Sequence, residues 1–393
     1  MPENTTEILN PDQLSEARRY HRASLRYMVL DRVVDFCYLG AVTFFAAFAL
    51  DGWLQTHVSW LAESVYLRAL ALILLVTAGH IAVSFPVSFF SDFVLEHQFH
   101  LSTLKFGGWL RRYALRMVLA CTLNIGLMLG LLFVIRNCGG YWWIIASVLF
   151  FLISVGLGMF LPVVILPLFY KTERMEDDTL LERLRTLASK TTLKLEGIYR
   201  MELSAETTKA NACLAGLGST RRVLLGDTLL EKFTPEEIEG VFAHELGHHV
   251  HKHIVKLLVG SFFASLAAFW LMDVLLKLWL SGASVNPFDC AIPFDYANLP
   301  AASIPFFMFV PLVFSWISEP LQNMLSRHFE RQADTYACEA TRNCAALKSV
   351  FTKLAIQNKA DPEPSRLEEF WLYSHPCIAA RIRMVEDFEK RQA

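Results

Sequence analysis

The chain carries eight cysteines but no paired C-x-x-C spacing. That absence counts against a cysteine-held zinc site and against a small disulfide scaffold. An excess of charge of either sign is missing too. The 36 Lys and Arg against 38 Asp and Glu leave a net charge of −2, so nothing points to a nucleic-acid partner. Repeats and low-complexity tracts are absent, and Asp361-Pro362-Glu363-Pro364-Ser365 is the one clear breaker cluster. Charged residues make up only 19% of the chain and hydrophobic residues 54%, with a mean hydropathy of +0.36. A chain of 393 residues can hold two or three soluble domains, but this balance reads as a membrane protein.

Six apolar stretches are long enough to cross a bilayer, which takes about 20 residues: roughly 33–50, 69–90, 113–135, 141–169, 254–280 and 301–325. The first is short and ends at Asp51. The polar N-terminus, with Arg18, Arg19, Arg22 and Arg26 ahead of that run, reads as the flank of an anchored helix and not as a cleaved signal peptide. Lys and Arg are missing from 51–67 and from 281–300, and 136–140 has only Arg136. By contrast, five arginines precede the first stretch up to Arg32, and 91–112 holds Lys105, Arg111 and Arg112. The positive-inside rule therefore predicts that both termini, 171–253 and 326–393 face the cytoplasm. Cys138 and Cys290 fall on the far side, where an oxidising compartment would allow a bridge between two loops; two free thiols are the simpler reading.

The expected division is 1–170, a tail and four membrane helices; 171–253; 254–325, two further membrane helices; and 326–393. The second and fourth pieces together have the size of one soluble domain. An amphipathic helix is predicted over Leu180 to Leu187, and short strands at Ile198–Met201 and Arg222–Leu225. Between the strands, Asn211-Ala212-Cys213-Leu214-Ala215-Gly216 is an extended, lightly built segment. It reads either as a loop of small residues or as an edge strand whose free backbone groups face an extended peptide.

The most specific local feature is His244-Glu245-Leu246-Gly247-His248. On a helix, imidazoles at i and i+4 share a face and can hold one metal ion, with Glu245 aimed at a water beside it. A helix is independently expected, because Thr234-Pro235-Glu236-Glu237 supplies an N-cap, a proline at the first helical position and a capping-box glutamate. Chance gives this five-residue pattern in on the order of one chain in a hundred, so two surface histidines are the competing reading.

A catalytic zinc normally takes three protein ligands and leaves one position open. Ser326–Asp334 continues helically out of the last apolar stretch and sets Glu330 and Asp334 on one face. Glu330 can be the third ligand, while Asp334 can accept the second ring N–H of a ligand histidine. His328 is a rival, but it points about 200° around the helix. On periodicity alone a solvated face, with Glu330 paired to Arg327 or Arg331, is the favoured reading; a carboxylate pair entering from the membrane beside a histidine helix that also adjoins it tips the balance toward the metal.

Four ordered motifs carry a resemblance: His-Glu-Leu-Gly-His at 244–248, Ser-Arg-x-x-Glu-x-x-Ala-Asp at 326–334, Asn211-Ala212, and Ser374-His375-Pro376 followed by Arg381-Ile382. Phe93-Val94-Leu95-Glu96-His97-Gln98-Phe99 matches as well. From about residue 10 to 390 the chain resembles the type I CAAX prenyl protease family of integral-membrane zinc endopeptidases, and reads as a bacterial member; bacterial heat-shock membrane metalloproteases are more distant kin. The resemblance implies a mainly α, polytopic fold. About six tilted membrane helices would form a barrel around a water-filled chamber, capped by a gluzincin-like zinc protease domain with a small β-sheet. It implies one Zn²⁺ per chain held by His244, His248 and Glu330, with Glu245 as general base and Asp334 behind a ligand. Asn211 and Ala212 would lie on the strand that grips the peptide, with His375 and Arg381 flanking the reacting carbonyl. The partners implied are a peptide or protein substrate, prenylated or membrane-associated, and the lipid bilayer of a bacterial inner membrane. Three positions depart from the family's habit: Cys213 stands where a tyrosine is usual, and His249 and Cys377 where an aromatic and a second proline are common.

Two other functions compete. One is a membrane quality-control protease for damaged or unfolded proteins. The other is a channel or transporter, for which His80, Asn124, Asp273 and Lys277 within the apolar stretches would be the evidence. Asp273 and Lys277, at i and i+4, are equally placed to pair with each other.

Overall fold

In the computed structural model, which describes residues 8–176, 179–191, 196–216, 221–281 and 294–392, the first apolar stretch does not end at Asp51. Its helix runs from Pro11 to His57. Asp51 is tolerated because it is buried against partners: Arg68 Nε donates to it at 2.9 Å, and the Ala302 backbone N–H at 3.2 Å. A paired carboxylate loses much of the desolvation penalty that would otherwise stop a membrane helix.

Among the described residues, five continuous helical stretches are long and apolar enough to cross a membrane: Pro11–His57, Val65–Gln98, Phe106–Phe169, His253–Ser281 and Ala301–Thr341. The third folds back at the short 3-10 turn Gly139–Tyr141, where Gly139 takes φ +53°, a conformation free of Cβ strain only for glycine. It therefore holds two of the six expected spans, Phe106–Cys138 and Trp142–Phe160. Cys138 closes the first of these; Cys290, its suggested partner, lies outside the described residues.

These helices pack through Leu72, Ile73, Leu132, Ile135, Trp142 and Phe307, all fully buried. Away from that layer they diverge around a cavity of about 2180 Å³, lined from every helix by residues such as Asp35, His80, Asn124, Phe150, Ser261 and Gln322. The intramembrane polar groups are mostly paired. His80 Nε2 lies 2.6 Å from Asp35 Oδ1. Lys277 Nζ lies 2.7 Å from Asp273, which also accepts from Trp142 Nε1 and the Tyr296 hydroxyl.

Outside the helical layer sits a mixed four-stranded sheet. Its strands are β1 (Thr172–Arg174), β2 (Gly197–Met201), β3 (Ala212–Ala215) and β4 (Arg222–Gly226), in the order β1-β2-β4-β3. β2 and β4 are parallel, while β1 and β3 flank them antiparallel. The extended segment after Asn211 is thus an edge strand. It is held to the membrane part by a clasp from the end of the second membrane-crossing stretch. Thr103 N–H donates to the Glu206 carbonyl and Thr208 N–H to the Leu101 carbonyl, both at 3.0 Å, and Lys209 Nζ reaches Glu96 at 2.8 Å.

The helix Thr179–Ser189 buries Leu180, Leu181, Leu184 and Leu187. They meet Val223 and Leu225 of the sheet and Ile238, Phe242 and Leu246 of the helix Pro235–Val250, together with Ala337, Phe351 and Val385 from the C-terminal part. One core thus draws on both sides of the membrane hairpin formed by His253–Ser281 and Ile304–Thr341. The second helix of this hairpin passes Pro311 and Pro320 and continues beyond the apolar stretch as an uninterrupted rod to Thr341.

Candidate metal centre

The helix Pro235–Val250 begins as its sequence dictates. Thr234 caps the Glu237 N–H, Glu237 returns a bond to the Thr234 N–H, and Pro235 occupies the first turn. Such a cap is worth about 0.5–2 kcal/mol. Glu237 is further held by Lys353 Nζ at 2.7 Å and the Ser349 hydroxyl at 2.6 Å. The helix then runs against Ile304–Thr341 so closely that a Cβ on Gly247 would lie 2.8 Å from Ala333 Cα and 3.1 Å from its carbonyl oxygen. Glycine at 247 is what permits this approach, and the approach brings Glu330 to the histidines.

The atoms that meet are His244 Nε2, His248 Nε2 and the Glu330 carboxylate. The two nitrogens lie 3.2 Å apart, and each is 3.3 Å from a Glu330 oxygen. Four ligands set tetrahedrally at 2.0–2.1 Å, as around zinc, lie about 3.3–3.4 Å from one another. Electrostatics point the same way. His244 Nδ1 lies 2.7 Å from Asp334 Oδ1 and donates to it, which leaves a lone pair on Nε2. Glu330 Oε2 is buried with no hydrogen-bond partner among the described residues. Electron-rich atoms facing one another at this spacing favour positive charge between them, and the residues fit a metal ion. Burial alone would push the His244 pKa down, but the Asp334 and Glu330 carboxylates raise it to about 10. The pocket thus favours positive charge at Nε2, whether proton or metal.

Behind the cluster, Asp334 is fully buried. Arg381 grips it with two bonds, Nε to Oδ2 at 2.9 Å and Nη2 to Oδ1 at 2.6 Å, with the guanidinium 4.1 Å from the Phe351 ring centroid. Burial opposes the Asp334 charge, but Arg381 and His244 outweigh it and hold its pKa down at about 2. Arg381 therefore reaches the cluster through Asp334. His375, in the link between Arg366–Leu372 and Ile378–Gln392, leans over it with Nε2 3.4 Å from Glu330 Oε1 and its side chain 57% exposed.

Glu245 lies toward the edge strand, where its Oε2 accepts the Leu214 N–H at 3.0 Å. The Gly226 N–H bonds the Asn211 carbonyl at 3.0 Å. Antiparallel pairs alternate between bonded and unbonded partners, so the backbone groups of Ala212 and Leu214 face away from β4. The Asn211 side chain is exposed, and Ala212 is half-buried. Cys213 beside them has its thiol pushed up to about 11 by burial and by the Glu245 carboxylate.

His328 stays apart on the cavity wall with Gln332 3.2 Å away. Sequence reasoning passed over His253, whose Nδ1 sits 3.0 Å from His248 Nδ1. Its spacing of i+5 belongs to no single helical face, and the available signal is the run of three histidines, His249, His251 and His253, behind the motif.

Known proteins bear on this arrangement. The sequence pattern of peptidase family M48 matches residues 174–389, and that of the CAAX prenyl protease N-terminal region, described as five membrane helices, matches 1–171. An uncharacterised metalloprotease of Bacillus subtilis, YhfN, is 26% identical over 333 residues, 84% of this chain and 76% of its own. CAAX prenyl protease 1 of Saccharomyces cerevisiae is 27% identical over 321 residues, 77% of this chain and 69% of its own. The crystal structure of S. mikatae Ste24p superposes with a TM-score of 0.81 at 23% identity, covering 98% of this chain and 91% of that one, which shows a shared fold.

Proposed function

The chain belongs to peptidase family M48 and is an integral-membrane metalloprotease, and we propose that it cuts peptide bonds with one zinc ion held by His244, His248 and Glu330. The observation that carries this reading is the convergence of three lone-pair-bearing atoms 3.2–3.3 Å apart, with the carboxylate of the motif beside an edge strand. When bound, zinc supplies Lewis-acid polarisation of a water and of the scissile carbonyl.

The chain's own residues do the rest. Glu245 takes a proton from the attacking water and delivers it to the leaving amine. His375 donates to the oxyanion of the tetrahedral intermediate, a role worth roughly 3–4 kcal/mol per donor in comparable sites. The outward backbone groups of Ala212 and the Asn211 side chain hold the peptide extended against β3. Asp334 fixes the His244 tautomer, and Arg381 keeps Asp334 charged. In this reading 171–253 and 326–393 act as one peptidase unit, carried by 1–170 and 254–325. A core shared by both pieces supports that division.

The substrate proposed is a protein with a prenylated C-terminus, from which a terminal tripeptide is released. Relatives named as CAAX prenyl proteases support it, as does a cavity large and apolar enough for a lipid-modified chain. The arginine-rich N-terminal flank supports a cytoplasmic placement of both termini and the peptidase unit, in the inner membrane if the host is bacterial.

The deciding experiment profiles the products of purified wild type and Glu245→Gln against three substrates: a prenylated C-terminal peptide, the same peptide without the lipid, and an unfolded membrane protein. Zinc-dependent release of the tripeptide from the first, lost in Glu245→Gln while zinc stays bound, is expected. Preferential degradation of the unfolded protein would replace the substrate proposal with a quality-control role. Full activity in Glu245→Gln would end the general-base assignment.

A further inference from the structure

His244 has a buried carboxylate at its second nitrogen, the usual means of fixing a ligand tautomer. His248 has another imidazole instead. The chain leaves the motif helix at Val250 and re-enters a helix at His253. Between them Lys252 takes the left-handed conformation, φ +55°, uncommon for a residue with a Cβ. This tight break turns His253 back against the site. Its ring is buried and lies flat on Phe329, with centroids 4.3 Å apart and planes 12° apart. Its Nδ1 faces His248 Nδ1 at 3.0 Å, and its Nε2 faces Gln332 Oε1 at 2.8 Å. The other atom of the same amide, Gln332 Nε2, reaches His328 Nε2 at 3.2 Å on the cavity wall.

Two assignments of protons satisfy the bond between the imidazoles. In one, His253 donates from Nδ1, His248 accepts at Nδ1, and the His248 proton then sits on Nε2, pointing at Glu330 and His244. In the other, Gln332 accepts from His253 Nε2, so His253 Nδ1 carries the lone pair, His248 donates to it, and His248 Nε2 is free to bind a cation. The neutral ring has one donor and one acceptor, so the choice at one end dictates the other. Only the second arrangement leaves a ligand lone pair on His248. The amide orientation at Gln332, oxygen toward His253 and nitrogen toward His328, selects it.

We infer that His253, with its tautomer set by Gln332, is the positioning residue for His248, doing through two relayed hydrogen bonds what Asp334 does directly for His244. This rests on the reading of His248 as a metal ligand.

The test uses full-length protein in detergent and reads zinc affinity by chelator competition and the visible absorption of the Co²⁺-substituted enzyme. His253→Phe keeps a flat ring on Phe329 but has no nitrogen. A 10–100-fold loss of zinc affinity, the range for lost outer partners of metal ligands, and a changed Co²⁺ spectrum are expected. Gln332→Leu should shift both readouts in the same direction. Gln332→Glu, which keeps an acceptor at that position, should restore them toward wild type, a rescue that a purely structural role does not predict. Zinc affinity within twofold of wild type and an unchanged spectrum in His253→Phe or in Gln332→Leu would overturn the inference, as would Gln332→Glu binding as weakly as Gln332→Leu. His248→Ala separates the two levels: undiminished zinc affinity there removes the ligand reading itself, whereas loss there with none in the His253 and Gln332 variants removes only the positioning role. If His253→Phe does not fold, the Gln332 pair decides alone.

Discussion

Gly247→Ala tests whether the closeness of two helices builds the metal centre. The added Cβ would lie 2.8 Å from Ala333 Cα and 3.2 Å from Tyr336 Cβ, whereas carbon atoms prefer about 3.5–4.0 Å. The clash is with backbone, so no change of rotamer relieves it, and the helices must part by roughly 1 Å, at a cost of about 1–3 kcal/mol. Glu330 lies one turn before Ala333 and moves with it. Its carboxylate, 3.3 Å from each histidine nitrogen, would then stand near 4 Å, roughly beyond the span of a shared tetrahedral ion. A displacement of this size typically lowers turnover about 100-fold. Thermal unfolding, zinc content after dialysis against a weak chelator, and kcat/KM on one peptide should all fall together. Gly240→Ala is the control, because its Cβ would meet only Leu347 Cδ1 at 3.5 Å, an ordinary contact. Wild-type zinc affinity and turnover in Gly247→Ala would refute the argument that this contact sets the ligand geometry.

Three further outcomes are expected. Glu330→Ala should purify folded but with sub-stoichiometric zinc by elemental analysis; full occupancy at unaltered affinity would assign the third ligand elsewhere. Asp334→Ala leaves Arg381 buried without its carboxylate and should cost about 3–5 kcal/mol. Because the Asp334 pKa is lowered to about 2, the wild-type advantage in denaturant melts should be complete above the ordinary carboxylate range and shrink as pH falls toward 2. The Cys213 thiol, raised to about 11, should resist iodoacetamide at pH 8 and react faster in Glu245→Gln, where the neighbouring negative charge is gone; rapid modification of the wild type would contradict its placement.

Local chemistry explains what was legible in advance. The cap at Thr234 and the i, i+4 histidines lie within one helix, so short-range spacing was enough to set them on one face. Glu330 is 82 residues beyond His248, yet it was reachable because a continuous helix leads out of an apolar stretch directly to it. Elements whose stability is borrowed from afar were not legible. β1, three residues Thr172–Arg174, carries no strand pattern and exists through its pairing with β2. The helix Asp227–Lys232 has only six residues, with Asp227 accepting from the Leu203, Ser204 and Thr228 N–H groups. The first span looked short because Asp51 reads as a stop in isolation, and only Arg68 and Ala302 make it tolerable. Arg381 was expected beside the reacting carbonyl from resemblance. Its two bonds to Asp334 depend on a packing of Ile378–Gln392 that no local pattern encodes.

The clasp between residues 101–103 and 206–208, with Glu96 holding Lys209 two positions before Asn211, ties the layer of membrane-crossing helices to the start of the edge strand β3. A bilayer that is thinner, thicker or more curved changes the tilt of membrane helices, and these contacts give such a change a direct route to β3, whose Leu214 N–H donates to Glu245. If β3 holds the peptide as proposed, the composition of the surrounding lipid becomes a physical input to how firmly that peptide is registered.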